Sequence, residues 1–260
     1  MKKLISAVFF FSTLYAFAQR GVKESIKFDN PPVIDGKVDD WPGEWWLDPD
    51  GKFLSNVGND ADNLYFRLKI SDDLTQEKIG LFGMSLKLNP TGKKKDKVGL
   101  KYPVGLDKNE LKSQQKKEEA NSGKETDVAA RVQHKKELVS DVEVLELIGL
   151  AKQNIVSSRL GLANGIEVIL VAQDDGSYIY EAKIPFKAFR LDKSKLENLG
   201  IEFESGRLIQ QNKNATPNSG YGPSYGRPGS MGRQPQMYYN NYAYNPLSSP
   251  AYLSLTIKLN

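Results

Sequence analysis

The chain of 260 residues has no cysteine and a single histidine. Without cysteine there are no disulfides, so the hydrophobic core must supply the stability even in an oxidising compartment. No N-terminal cysteine is available to carry a lipid anchor either. The one histidine, His134, stands beside Lys135 and Lys136 in a charged stretch. A hydrolase triad or zinc site built on histidine needs that ring held rigidly in a pocket, and a charged stretch does not offer one. No Walker loop, dinucleotide fingerprint or Gly-x-Ser-x-Gly elbow occurs. The net charge is only +4, and Lys2 and Lys3 of the opening segment contribute to it. A nucleic-acid partner is not expected, because no concentrated basic stripe is present. The nearest approach, Lys93-Lys94-Lys95 with Lys97, reads as a solvated loop tip rather than a phosphate site.

Acidic residues do come in adjacent pairs, at Asp39-Asp40, Asp72-Asp73 and Asp174-Asp175. Glycoside hydrolysis needs two carboxylates a fixed distance apart. These pairs sit at turns instead, where Asp hydrogen-bonds its own backbone. A non-catalytic protein is therefore expected. Asp48-Pro49-Asp50-Gly51 and Asn59 to Asn63 are oxygen-rich turns of the kind that suits a hard cation, although EF-hand spacing is absent. A structural calcium ion stays open, and no other cofactor is expected.

Export is written at the start. Lys2 and Lys3 precede an apolar run from Leu4 to Phe17, and Ala16-Phe17-Ala18 has the small-x-small pattern of a cleavage site. The run is too short to span a bilayer, which takes about 20 apolar residues, and no later segment is longer. The expectation is a signal peptide over 1–18 and a mature chain of one domain over 19–260, periplasmic or extracellular, with no membrane span.

Beyond the signal, alternation of apolar and polar residues dominates, the period of half-buried strands. Leu64, Phe66, Leu68 and Ile70 form the clearest set. Phe82, Met84, Leu86 and Leu88 follow the same rule, as do Ile166, Val168 and Leu170, then Tyr178, Tyr180, Ala182 and Ile184, and finally Leu253, Leu255, Ile257 and Leu259. Asp174-Asp175-Gly176 separates two of these runs at hairpin distance. Many short strands without a βαβ rhythm predict an all-β, two-sheet sandwich. Two stretches interrupt it. Residues 107–137, dense in Lys, Glu and Gln, read as a charged, partly helical insertion projecting from the sandwich. Residues 212–250, rich in Gly, Tyr and Asn, read as a long irregular loop. Residues 141–148 fit a strand or a helix.

Aromatic residues carry the functional signal. All three tryptophans, Trp41, Trp45 and Trp46, fall within six positions. Trp41 is taken as a core anchor. Trp45 and Trp46 are neighbours, so in an extended chain they point to opposite faces, leaving one to stack on a flat apolar face such as a sugar ring. Tyr221, Tyr225 and Tyr239 stud the late loop among small polar residues, the mix that binding loops use.

The segment Pro31-Pro32-Val33-Ile34-Asp35-Gly36-Lys37-Val38-Asp39-Asp40-Trp41 resembles the opening of carbohydrate-binding module family 9 and its DOMON-like relatives. Two more landmarks follow in order: Asn59-Asp60-Ala61-Asp62-Asn63-Leu64-Tyr65-Phe66 and Tyr180-Glu181-Ala182-Lys183-Ile184-Pro185-Phe186. The resemblance implies an antiparallel two-sheet sandwich of secreted polysaccharide-degrading systems, in which a pair of aromatic side chains clamps a sugar. Trp45 or Trp46 would take one such place. The expected ligand is thus a poly- or oligosaccharide, with a protein-interaction scaffold as the alternative. Haem, bound by some relatives, would need His134, Met84, Met231 or Met237 as axial ligands.

Overall fold

The computed structural model describes residues 21–37, 39–121, 127–140, 142–150, 155–157, 164–209 and 245–260. The expected export signal, Met231, Met237 and the loop tyrosines Tyr221, Tyr225 and Tyr239 lie outside them. In chain order the elements are β1 (Lys23–Glu24), β2 (Ile26–Lys27), β3 (Trp46–Leu47), β4 (Phe53–Asn59), β5 (Asn63–Ile70), α1 (Asp73–Phe82), β6 (Met84–Asn89) and β7 (Val98–Lys101). Two helices follow, α2 (Lys108–Asn121) and α3 (Val128–Val139). The remaining strands are β8 (Val144–Ile148), β9 (Ile155–Ser157), β10 (Glu167–Ala172), β11 (Tyr178–Pro185), β12 (Leu199–Ser205) and β13 (Tyr252–Lys258).

Two sheets face each other. One runs β1-β13-β12-β6-β7-β8-β9, and the other runs β10-β11-β5-β4-β2, with β3 also paired to β4. The pairing is antiparallel except where β1 lies parallel to β13 and β2 parallel to β4. The fold is therefore the all-β sandwich that the alternation predicts. The inward residues of both sheets make one core: Leu64, Phe66, Leu68 and Ile70 of β5 and Tyr180, Ala182 and Ile184 of β11 meet Leu86, Leu88, Ile201, Phe203 and Ile257 of the opposite layer, all of them sealed from water. Each such large side chain contributes roughly 1.5–3 kcal/mol by leaving water, and that sum replaces the missing disulfides.

Residues 23–27 stitch the layers together. β1 belongs to one sheet and β2 to the other, with the buried Ser25 between them. The Ser25 amide donates to the Lys258 carbonyl at 3.0 Å, its hydroxyl donates to Asn59 Oδ1 at 2.5 Å, and the Asn260 amide donates back to Ser25 Oγ at 3.0 Å.

Two local expectations change. Phe82 continues no strand; it ends α1, which Asp72 caps by accepting the Thr75 amide at 2.8 Å, and Gly83 (φ +83°) turns the chain into β6. Asp-x-x-Thr capping outweighed the period-two pattern there. Within residues 141–148, Val144–Ile148 form strand β8. The charged insertion is helical, but α3 packs against α1 and β10 instead of projecting. Val139 is buried, Leu138 lies against Gly80 of α1, and the Tyr178 hydroxyl donates to the Lys135 carbonyl at 3.0 Å. Its lysines pair with acids of the neighbouring turns, Lys135 with Asp73 and Lys136 with Asp174. The anchor is thus the Leu138-Val139 pair just beyond the charge-dense stretch.

Candidate functional site

The outer face of the six-stranded sheet carries a buried polar rung. Register places Glu181 of β11 beside Arg67 of β5, and Arg67 beside Asn56 of β4. All three are almost fully buried, because residues 28–48 fold back over them. Each holds that segment by hydrogen bonds. Glu181 accepts the Trp41 indole N–H at 2.9 Å on Oε1, and the amides of Gly36 at 2.8 Å and Asp35 at 3.2 Å on Oε2. Arg67 Nη2 donates to the Gly43 carbonyl at 3.2 Å. Asn56 donates to the Glu44 carbonyl at 2.9 Å and accepts the Trp46 amide at 3.3 Å. Burial pushes the Glu181 carboxyl up to about 7, against the pull of its donors from Gly36, Trp41 and Asp35. Burial likewise lowers the Arg67 guanidinium, against the fields of Glu181 and Asp40.

The tryptophans serve this clamp. Trp41 is buried and packs edge-to-face on Phe28, which packs in turn on Tyr65. The Arg67 guanidinium lies 4.1 Å from the centre of the Trp45 ring and 5.1 Å from that of Trp41, within cation–π range. Trp46 packs on the main core and has Lys23 Nζ 4.9 Å over its ring. Trp45 and Trp46 are both half-buried, with a cation over each ring. Gly36 (φ +82°) belongs to the same device: a Cβ there would meet Val171 of β10 at 2.6 Å, so only glycine lets the Asp35-Gly36 turn sit down on the sheet.

The oxygen-rich turns are also spoken for locally. Asp60 accepts the amides of Asp62 and Asn63 and the Tyr65 hydroxyl at 2.6–2.7 Å. Asp175 accepts Ser177 and pairs with Lys69. Asp48 is buried within the turn that leads into β4, and burial raises its carboxyl. Among the described residues no three acidic or histidine side chains converge on a point. His134 faces Gln114 across α2 and α3 at 3.5 Å, whereas Met84 is sealed in the core; the structure does not bring these two together as a pair of ligands.

The outer face of the seven-stranded sheet differs: it is polar and open. Cross-strand rungs read Tyr252–Glu204–Ser85, Ser254–Glu202–Lys87 and Thr256–Gly200–Asn89 across β13, β12 and β6. A groove of about 520 Å³ lies over this face, with Gly200 in its floor, Asn89 to Gly92 on one wall and Lys195, Glu197 and Asn198 on the other. Glu202 is its best-connected group. Both of its oxygens accept from Lys97 Nζ at 2.5 Å, and the Tyr252 hydroxyl also bonds to it. Burial raises the Glu202 carboxyl, but Lys97 and Tyr252 outweigh burial and leave it below the usual carboxylate range. Lys87 pairs with Glu204 beside it. Tyr252, 40% exposed, is the aromatic ring of this face. Sequence reasoning passed over these residues because alternating Lys, Glu, Ser and Thr look the same on any solvated strand face. The bonding of Tyr252 and Lys97 to one carboxylate appears only once the register is known.

No protein-family model matches the chain, and no curated protein matches it. Solved structures similar to the chain include two family 9 modules. A carbohydrate-binding module of family 9 from Caldicellulosiruptor kristjanssonii in complex with glucose shares 12% identity, with 71% of this chain and 76% of that one covered at a TM-score of 0.36. A family 9 module from the same organism in complex with cellotriose gives 12%, 70%, 75% and 0.35. The sandwich assignment rests on the chain's own sheet order and register.

Proposed function

We propose that this chain is an exported, non-catalytic carbohydrate-binding module, acting in the periplasm or outside the cell, that holds a poly- or oligosaccharide in the groove on its seven-stranded sheet. The observation that carries the reading is the make-up of that groove. Thr91, Ser254 and Thr256 with their hydroxyls, Asn89 and Asn198 with their amides, and Glu202, held from outside the lining by Lys97, surround a floor opened by Gly200. Sugar hydroxyls are recognised by convergent donors and acceptors of this sort on a largely preformed surface, and the exposed Tyr252, bonded to Glu202 but outside the groove lining, offers an apolar ring beside it. Trp45 and Trp46 then act in the clamp under the N-terminal segment. Tyr221, Tyr225 and Tyr239 belong to the stretch that joins β12 to β13, the two strands beneath the groove.

Isothermal titration with oligosaccharide panels tests this, because the tryptophans are on the other sheet and need not report on the groove. Binding is expected, with a loss of about tenfold or more in Tyr252→Ala and Glu202→Ala, equivalent to about 1.4 kcal/mol. If no glycan is retained, or if both variants bind as the parent does, the groove is not the site and the scaffold alternative takes its place.

A further inference from the structure

Resting on the carbohydrate reading, we infer that Lys97, which does not line the groove, is a positioning residue that holds Glu202 as a charged acceptor for one hydroxyl of the ligand. The pairing is not the one that register alone sets. Lys87 of β6 stands directly opposite Glu202 of β12, yet its ammonium goes to Glu204. Glu202 is taken instead by Lys97, on the connection between β6 and β7, with Nζ 2.5 Å from both carboxylate oxygens. Both side chains are mostly shielded, 21% and 17% accessible, so salt screens the pair little. The connection that carries Lys97 is itself fastened at two points. Thr91, a wall residue of the groove, donates its hydroxyl to Asp96 Oδ2 at 2.7 Å. Gly149 (φ +78°) lies so near that a Cβ there would meet the Lys97 carbonyl oxygen at 2.6 Å.

A count of acceptor sites gives the consequence. A carboxylate offers about four lone-pair sites. Lys97 takes one on each oxygen and the Tyr252 hydroxyl takes another, which leaves about one for a ligand hydroxyl at the groove. A bond to an ionised acceptor is roughly twice as strong as a neutral one, so the site depends on Glu202 keeping its charge. Burial pushes the carboxyl up, toward the neutral form; Lys97 does most to reverse this, with Tyr252 next and Lys87 least. The other charges nearby are engaged or opposed to ionisation. Lys87 pairs with Glu204 and Lys195 with Asp192, Asp96 is held by Thr91, and Glu197 of the same lining adds a like charge. Ser254, opposite Glu202 on β13, is uncharged. Without Lys97 the carboxyl is left partly buried and short of a cation, which favours its neutral form.

The test measures glycan affinity between about pH 7 and pH 4.5 for the full chain and its Lys97→Met and Lys87→Met variants, with cello-, xylo- and manno-oligosaccharides as probes. In parallel, carboxyl-carbon NMR follows the titration of Glu202 without ligand. Parent affinity is expected to hold within about twofold across that range. Lys97→Met should bind about tenfold more weakly at neutral pH, and its deficit should widen as the pH falls. The Glu202 signal should titrate at higher pH in Lys97→Met than in the parent, whereas Lys87→Met stays near the parent in both readouts. A loss of packing alone would weaken binding equally at every pH and leave the Glu202 titration in place. An unshifted titration, or a Lys87→Met variant that matches Lys97→Met, overturns the positioning role and leaves sugar binding standing. If the parent retains none of the probes, the carbohydrate reading fails and the role of Lys97 in binding goes with it. Should Lys97→Met not fold, the parent decides: a Glu202 carboxyl that titrates within or above the usual carboxylate range contradicts the inference, and one that titrates below it supports it.

Discussion

Trp41 and Glu181 stand 140 positions apart in the chain, and the indole N–H of one reaches the carboxylate of the other at 2.9 Å, both residues being buried. This bond, with those from Gly36 and Asp35, fastens residues 28–48 to the sheet. Trp41→Phe keeps most of the apolar contact with Phe28 but leaves Glu181 Oε1 without its donor. The loss is expected at about 1–3 kcal/mol in the denaturant-unfolding free energy. An unchanged midpoint would mean the bond contributes nothing.

Glu181 also fixes a pH dependence. Its carboxyl is raised from an ordinary 4.5 to about 7, chiefly by burial. Below 4.5 both folded and unfolded chains hold the proton. Between 4.5 and 7 the unfolded chain releases it while the folded chain keeps it, so this group lowers stability as pH rises through that window and adds no further slope above it. The measurement is the thermal midpoint of the parent minus that of Glu181→Gln between pH 4 and 8. That difference should shrink from pH 4.5 to 7; a difference that is flat, or that grows, contradicts the assignment.

Gly200 separates binding from folding. A Cβ there would approach Asn89 at 3.3 Å, which is tight but not prohibitive. Replacing a strand glycine also recovers roughly 0.5–1 kcal/mol of backbone entropy. Gly200→Ala should thus melt close to the parent while narrowing the groove floor, with glycan affinity reduced about tenfold. Intact affinity would place the ligand elsewhere.

Packing rather than charge holds α3. Val139→Ala removes two buried methyl groups and should cost about 2 kcal/mol once the cavity is included. Lys136→Ala breaks a pair whose acid, Asp174, is almost wholly exposed, and should cost under about 1 kcal/mol. Chemical denaturation of the two variants side by side gives the comparison; the reverse order would show the helix to be held by its ion pairs.

The sandwich was legible because β5, β11 and β13 carry their aliphatic and aromatic core residues at alternate positions, and period two is visible without any partner strand. The same rule hid the clamp. Arg67 and Glu181 occupy the positions that alternation assigns to water, and they are buried only because a distant segment covers that face. The Asp35-Gly36 and Trp41 landmarks pointed to that segment, but Glu181 stood in the third landmark with nothing to mark it as their acceptor. Phe82 was misplaced for a different reason: a helix of ten residues capped by Asp72 imitates a strand when its last residue is read with the strand that follows. The groove was illegible since its chemistry depends on which rung faces which, and register is not a property of any one strand.

One five-residue stretch, Lys23 to Lys27, lends a strand to each layer. Trimming that runs through Lys27 would uncover the end of β13 and the end of β4 together. The molecule would then offer two bare ladders, each ready to recruit a neighbour's chain. The integrity of this short leader therefore governs whether the protein stays monodisperse, quite apart from how well its interior is packed.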